Sequence, residues 1–181
     1  MTLLGELDVL RVVSVRLDAA RIEYMLTGAY ALAYYTTPRM TRDIDLVVAL
    51  SEKDITSVSE LFSADFYVDE DDVRSAVQSE RMFNFMHFES GIKLDFIVRK
   101  TSEYRQIEFA RRQRVALVGV SLWITSREDL ILSKVLWGKD SASELQKRDV
   151  RSLMDSSVER AYIEQWAERL GVAAELSEIM Q

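Results

Sequence analysis

The sequence contains no cysteine, one histidine (His87), one proline (Pro38) and six glycines. Without cysteine, thiol nucleophiles, disulfides, thiolate zinc sites and iron–sulfur clusters are all excluded. A single histidine excludes a two-histidine metal site within one chain, and any proton relay between two imidazoles. A catalytic metal would therefore be held mostly by carboxylates, which favours a hard cation such as Mg²⁺ or Mn²⁺. Positive charge is also in short supply: 23 Lys and Arg face 30 Asp and Glu, for a formal net charge of −7. A protein that coats nucleic acid by Coulomb attraction is basic, so the balance argues against a general DNA or RNA coat and leaves room for a local basic patch. Long apolar runs are missing too. The longest uncharged stretch, Tyr24 to Pro38, is too short and too polar to span a bilayer. The N-terminal residues carry charges every few positions, unlike a signal peptide. The expectation is a cytoplasmic protein with no membrane partner.

What is present is 181 residues, 48% apolar and 29% charged, an ordinary balance for a folded chain with a sizeable core. Leu3, Leu7, Leu10, Val13 and Leu17 recur at three- and four-residue steps, which predicts an amphipathic helix over 3–20. Ile22 to Leu26 reads as a strand, Thr27-Gly28 as a tight turn, and the Ala-, Leu- and Tyr-rich segment after it as a buried helix. Residues 37–42 read as loop and Asp43–Leu50 as a strand. Ser51 and Asp54 have capping-box spacing, and Asp69 to Asp72 place four carboxylates where a helix dipole would favour them. Met82–Phe88 and Ile92–Val98, joined by Glu89-Ser90-Gly91, predict a hairpin. A helix from about Ser102, β structure around Val115–Ile124 and an all-helical remainder follow. Ser126 with Asp129 and Ser156 with Glu159 repeat the capping spacing, and Gly171 is a helix stop. The expected architecture is an α/β (α+β) core over 1–124, a mixed sheet with flanking helices, with a helical extension over 125–181 packed upon it.

The chemistry concentrates in Thr27 to Val48. Asp43 and Asp45 flank Ile44 in a strand, so a period of two sends both carboxylates to one face and Ile44 to the other. Adjacent carboxylates repel unless a cation lies between them, which makes them natural Mg²⁺ ligands. Asp95 interrupts the apolar strand Leu94–Val98. If that strand lies beside the first, three acids converge, enough to hold two metal ions. Gly28 ends a strand just before a helix, where free backbone N–H groups suit a phosphate.

These residues resemble the nucleotidyltransferase fold of the DNA polymerase beta superfamily. Gly28-Ala29-Tyr30-Ala31-Leu32 followed by Arg39-Met40-Thr41-Arg42-Asp43-Ile44-Asp45-Leu46 is more narrowly similar to small bacterial and archaeal nucleotidyltransferase-like proteins related to abortive-infection toxins. Their later blocks match Asp95, Ser126-Arg127-Glu128-Asp129-Leu130, Lys134 and Lys147-Arg148-Asp149. The resemblance spans roughly residues 20–155. It departs at Ala29, where relatives carry Gly or Ser, and at Ser152, where they commonly carry a second Asp. The resemblance implies Mg²⁺- or Mn²⁺-dependent transfer of a nucleoside monophosphate from a nucleoside triphosphate to a hydroxyl on a small molecule, RNA or protein. It implies Asp43, Asp45 and Asp95 as catalytic residues and metal ligands, and Gly28, Ala29, Arg39, Thr41 and Lys134 as nucleotide-binding residues. Two alternatives stand beside it: a catalytically weak relative that binds a nucleotide or a partner protein, and a toxin-like component acting on RNA or protein.

Several other residues have plainer readings. His87 lies between aromatic residues and is expected to be structural, and Tyr34 and Tyr35 are expected to pack the first buried helix on the sheet. Asp149 is expected to be an ion-pair partner. Arg111, Arg112 and Arg114 form the densest basic cluster, either a solvated helix end or a landing patch for substrate.

Overall fold

The computed structural model describes residues 5–37, 41, 43–141 and 143–181, without the side chains of 140 and 141. The first half runs α1 (Glu6–Ala19), β1 (Tyr24–Leu26), α2 (Gly28–Tyr35), β2 (Asp43–Val48), α3 (Ile55–Phe62), β3 (Phe66–Tyr67) and α4 (Glu70–Ser79). It continues with the hairpin β4 (Met82–His87) and β5 (Lys93–Val98), then α5 (Glu103–Ala110) and a second hairpin, β6 (Gln113–Leu117) and β7 (Val120–Ile124). Four helices close the chain: α6 (Arg127–Ser141), α7 (Glu144–Leu153), α8 (Arg160–Arg169) and α9 (Ala173–Met180). The fold class is α/β, as the patterning predicts.

The seven strands form one mixed sheet in the order β3-β4-β5-β2-β1-β7-β6. β2 pairs parallel with β5 and antiparallel with β1, and β1 pairs parallel with β7 through Leu26 and Ile124. Central position explains the apolar character of these strands: Ile44, Leu46, Leu94 and Phe96 are wholly buried. Their face of the sheet is closed by α1 and α3, with Phe62 of α3 5.5 Å from Phe85 and 5.8 Å from Phe96, and with Arg16 of α1 lying over Phe62. Strand alternation leaves Asp43, Asp45 and Val47, and Lys93, Asp95 and Ile97, on the opposite face. That face carries the candidate site.

Local signals explain most element ends. Asp69 caps α4 by accepting from the backbone N–H groups of Asp71 and Asp72, and Ser51 with Asp54 forms a capping box before α3. The β6–β7 turn places Val118 and Gly119 both at positive φ, the geometry that suits the twist of a two-residue hairpin. Gly171, at φ +69°, follows α8 as a helix stop.

Two details differ from the sequence-based expectation. Ser156 does not cap a helix. The Asp155 carboxylate instead accepts from the Ser157 N–H and hydroxyl and from Arg127, which holds this segment off the helix until Arg160. Strand β3, two residues long, is too short to leave a periodic signal.

Candidate active site

The parallel register of β2 and β5 sets Asp43 opposite Lys93 and Asp45 opposite Asp95. Asp43 is exposed, Asp45 partly buried, and Asp95 only 5% exposed. Beside them β1 ends, and the Thr27 N–H donates to the Asp45 carbonyl at 2.9 Å. Gly28 then opens α2 with φ +64°. A β-carbon built there would lie 2.0 Å from Asp45 Oδ2, so only glycine lets this turn approach the acid. Thr27 makes no side-chain cap, and the first N–H groups of α2 have no partner within the helix. Gly28, Ala29, Thr41, Asp43, Asp45 and Lys134 line one cavity of about 280 Å³, into which Trp137 and Gln146 also face. The expected helices after Ser126 thus reach the mouth of the acidic site. Arg39 lies outside the described residues.

Electrostatics mark Asp45. Burial, then the neighbouring carboxylates of Asp95 and Asp43, raise its pKa from 3.8 to about 6. Asp95 Oδ2 is ion-paired with the Lys93 ammonium at 2.9 Å, and its Oδ1 is buried with no hydrogen-bond partner. The hydrogen bond to Asp95 raises the Lys93 pKa. Among the described residues no three acidic or histidine side chains gather closely enough to form a ready metal site. The donor set nonetheless fits a hard cation. An orphaned carboxylate oxygen lies buried on β5 beside Asp45, and repulsion among three acids is what such a cation would relieve. Lys93 stands against that fit, because its ammonium already neutralises one acid.

Lys134 is buried and donates to Asp149 Oδ2 at 2.7 Å and to Gln146 Oε1 at 3.2 Å, joining α6 to α7. Asp149 is therefore an ion-pair partner, as expected. Ser126 donates to Asp129 at 2.6 Å, and the fully buried Asp129 also accepts from Arg111 and Tyr162. That block clamps α6 to α5 and α8. In the basic cluster Arg111, Arg112 and Arg114 pair with Asp129, Glu23 and Asp18. His87 is buried against Phe66 and accepts the Ser90 N–H at Nδ1, and the Tyr35 hydroxyl donates to the Thr125 carbonyl. Sequence reasoning missed Lys93, Trp137 and Gln146 in the site. Lys93 sits two residues before Asp95, and Gln146 one helical turn before Asp149, so periodicity held a signal for both.

No family model matches the sequence, and no curated protein matches it. Solved structures do match. An antigenic nucleotidyltransferase-like protein from Paracoccidioides brasiliensis aligns over 93% of this chain and 90% of its own, with 18% identity and a TM-score of 0.56. The antibiotic-resistance factor ANT(2'')-Ia aligns over 96% of both chains at 12% identity and a TM-score of 0.59. The lincosamide antibiotic adenylyltransferase LnuA, solved with lincomycin bound, covers 84% of this chain and 98% of its own at 13% identity and a TM-score of 0.54. At such identities the likeness is one of fold, and the fold is that of the nucleotidyltransferases.

Proposed function

We propose that this protein is a nucleotidyltransferase that uses Mg²⁺ or Mn²⁺ to move a nucleoside monophosphate from a nucleoside triphosphate to a hydroxyl acceptor. The observation that carries this reading is the alignment of Asp43 and Asp45 on β2 with Asp95 on β5, beside a Gly28 turn that opens a helix. The nucleotidyltransferase fold supports it.

In this reading Asp43, Asp45 and Asp95 would hold the metal, for which the Lys93 ammonium would have to leave Asp95. A bound metal would supply positive charge to offset that of the phosphates. Gly28 and Ala29 offer backbone N–H groups to the phosphates, and Ala29 supplies no hydroxyl for a further bond. Lys134 and Arg39 neutralise phosphate charge, and Thr41 lies at the mouth of the cavity. Asp95 takes the proton of the attacking hydroxyl. Residues 1–124 form the catalytic core and 125–181 an extension that completes the nucleotide site. We place the protein in the cytoplasm, in keeping with the lack, among the described residues, of any helix long and apolar enough to cross a membrane.

The narrower kinship to abortive-infection-toxin-related proteins, with RNA or protein as acceptor and a partner protein, rests on the Gly28–Leu46 and Ser126–Asp149 blocks alone. A second reading, a nucleotide- or partner-binding module without transfer, is favoured by the Lys93–Asp95 ion pair. One experiment separates them: titration with a non-hydrolysable triphosphate with and without Mg²⁺, followed by transfer of labelled nucleotide onto candidate acceptors. The transferase reading expects metal-dependent binding and label transfer that is abolished in D43N/D45N. Binding without transfer in the wild type would establish the second reading.

A further inference from the structure

Past the acids the cleft opens into a second cavity of about 530 Å³, which shares Thr27, Ile97, Ser133 and Trp137 with the first. It begins at Val47 and Ile97, the next residues on the same face after Asp45 and Asp95. The second cavity thus adjoins the one lined by Asp43 and Asp45 and continues along the same face of β2 and β5. Displacement at phosphorus needs the attacking and leaving oxygens roughly in line, so an acceptor needs a space of its own that adjoins the nucleotide's.

The walls of this cavity are basic. Arg99 and Lys100 follow β5, and Arg105 and Glu108 come from α5. Glu108 is buried, accepts from Arg105 at 2.7 Å and from the Ser133 hydroxyl at 2.7 Å, and is therefore already neutralised. Arg99 and Lys100 are left without an ion-pair partner among the described residues; the Arg99 guanidinium lies 5.2 Å from the centre of the Phe109 ring. Two uncompensated positive charges beside an acidic site, in a chain of net charge −7, are a local reversal of sign. The Trp137 ring, 56% exposed, adds a flat apolar wall. A pocket for a polycation would need free carboxylates, and among the described residues that line this one the single carboxylate is the paired Glu108. Its volume is that of a small-molecule site, and two cations do not make the basic stripe of a nucleic-acid surface.

We propose that this second cavity holds the acceptor, and that the acceptor is a small molecule bearing a carboxylate or phosphate beside its reactive hydroxyl. This deepens the transferase reading and rests on it. In the step, the hydroxyl oxygen bonds to the α-phosphorus and the bond between that phosphorus and the α–β bridging oxygen breaks. Pyrophosphate leaves with the electron pair, and the hydroxyl proton passes to Asp95 and on to solvent. Arg99 and Lys100 hold the anionic group, and Trp137 packs against the acceptor's apolar part.

The test uses four phenols that differ only at one end: 3-(4-hydroxyphenyl)propionate, 2-(4-hydroxyphenyl)ethyl phosphate, tyrosol and tyramine. Each is titrated calorimetrically into the full chain, alone and with a non-hydrolysable ATP analogue and Mg²⁺ present. The carboxylate or the phosphate probe is expected to bind about tenfold more tightly than tyramine, with tyrosol between, and which anion binds better identifies the headgroup. R99E/K100E is expected to reverse that order. Equal or tighter binding of tyramine, no binding by any probe, or an order unmoved by R99E/K100E overturns the proposal. Competition between the anionic probe and the ATP analogue also overturns it, because the cavity would then belong to the nucleotide. Failure of the ATP analogue to bind the wild type sinks the transferase reading instead, and the probe series still decides the charge preference.

Discussion

Asp45→Asn should stabilise the protein, by an amount that grows as the pH rises from the unfolded to the folded pKa of Asp45. The Asp45 carboxyl titrates near 3.8 in an unfolded chain and at about 6 in the folded one. Between those values the folded state holds a proton that the unfolded state has released, so wild-type stability falls as pH rises. Below the lower value Asp45 costs nothing. Above the upper value it costs the full difference, about two pKa units or ~3 kcal/mol. Asparagine has nearly the same shape and no charge, so it removes that penalty. The stability of D45N minus that of wild type is expected to be near zero at pH 4 and to reach ~3 kcal/mol by pH 7.5. For a chain of this size that is a difference in melting temperature of ~6–12 °C. Urea unfolding followed by tryptophan fluorescence across this range measures it. Taking the difference between the variants cancels groups such as Glu108, whose pKa is also raised by burial. The titration belongs to the acid cluster as a whole, so the curve is broader than that of a single acid. Millimolar Mg²⁺ should raise the wild type toward D45N at pH 7.5 and leave D45N nearly unmoved. A pH-independent difference, or a D45N less stable than wild type at pH 7.5, would refute the account of a repelled and desolvated carboxylate.

Two further outcomes are expected. Gly28→Ala forces alanine to φ +64° and drives its β-carbon onto Asp45, so thermal denaturation should show a loss of ~2–4 kcal/mol together with loss of nucleotide binding. Lys134→Met takes an ammonium away from buried Asp149 and should cost ~3–5 kcal/mol, much of it recovered in K134M/D149L; a double mutant no more stable than the single would show that the pair does not act as a unit.

The acid strand was legible because its chemistry is local. Asp43, Ile44 and Asp45 alternate within one strand, and the apolar residues around Asp95 mark another central strand, so each face could be read without knowing the neighbour. Gly28 was legible for the same reason, as a turn between a strand and a helix. What the sequence withheld depends on which elements meet. Lys93 matters because β5 pairs with β2 in a register that sets it opposite Asp43, and a single sequence does not state register. The Lys134–Asp149 pair joins two successive helices through residues fifteen apart, and the basic second cavity exists only where α5 and α6 approach the ends of β2 and β5. Arg111, Arg112 and Arg114 look like one cluster in the sequence, yet in space each answers a different acid.

The pairing of β1 with β7 has a consequence for how the protein is made. Leu26 and Ile124 lie about a hundred residues apart, and the Thr125 N–H reaches back to the Leu26 carbonyl. Closing so long a loop is slow compared with forming the hairpins and helices, whose contacts are nearby in the chain. On a ribosome, the strand that leads into the Gly28 turn emerges early and keeps an open edge until β7 has been synthesised. Tyr35, which ends α2, likewise waits for the Thr125 carbonyl, so the strand before the Gly28 turn and the helix after it are both held by a segment translated much later. A nascent chain stalled before residue 120 would carry all three acids and still lack a seated turn. The site is therefore completed late in synthesis, after Asp43, Asp45 and Asp95 are already in the chain.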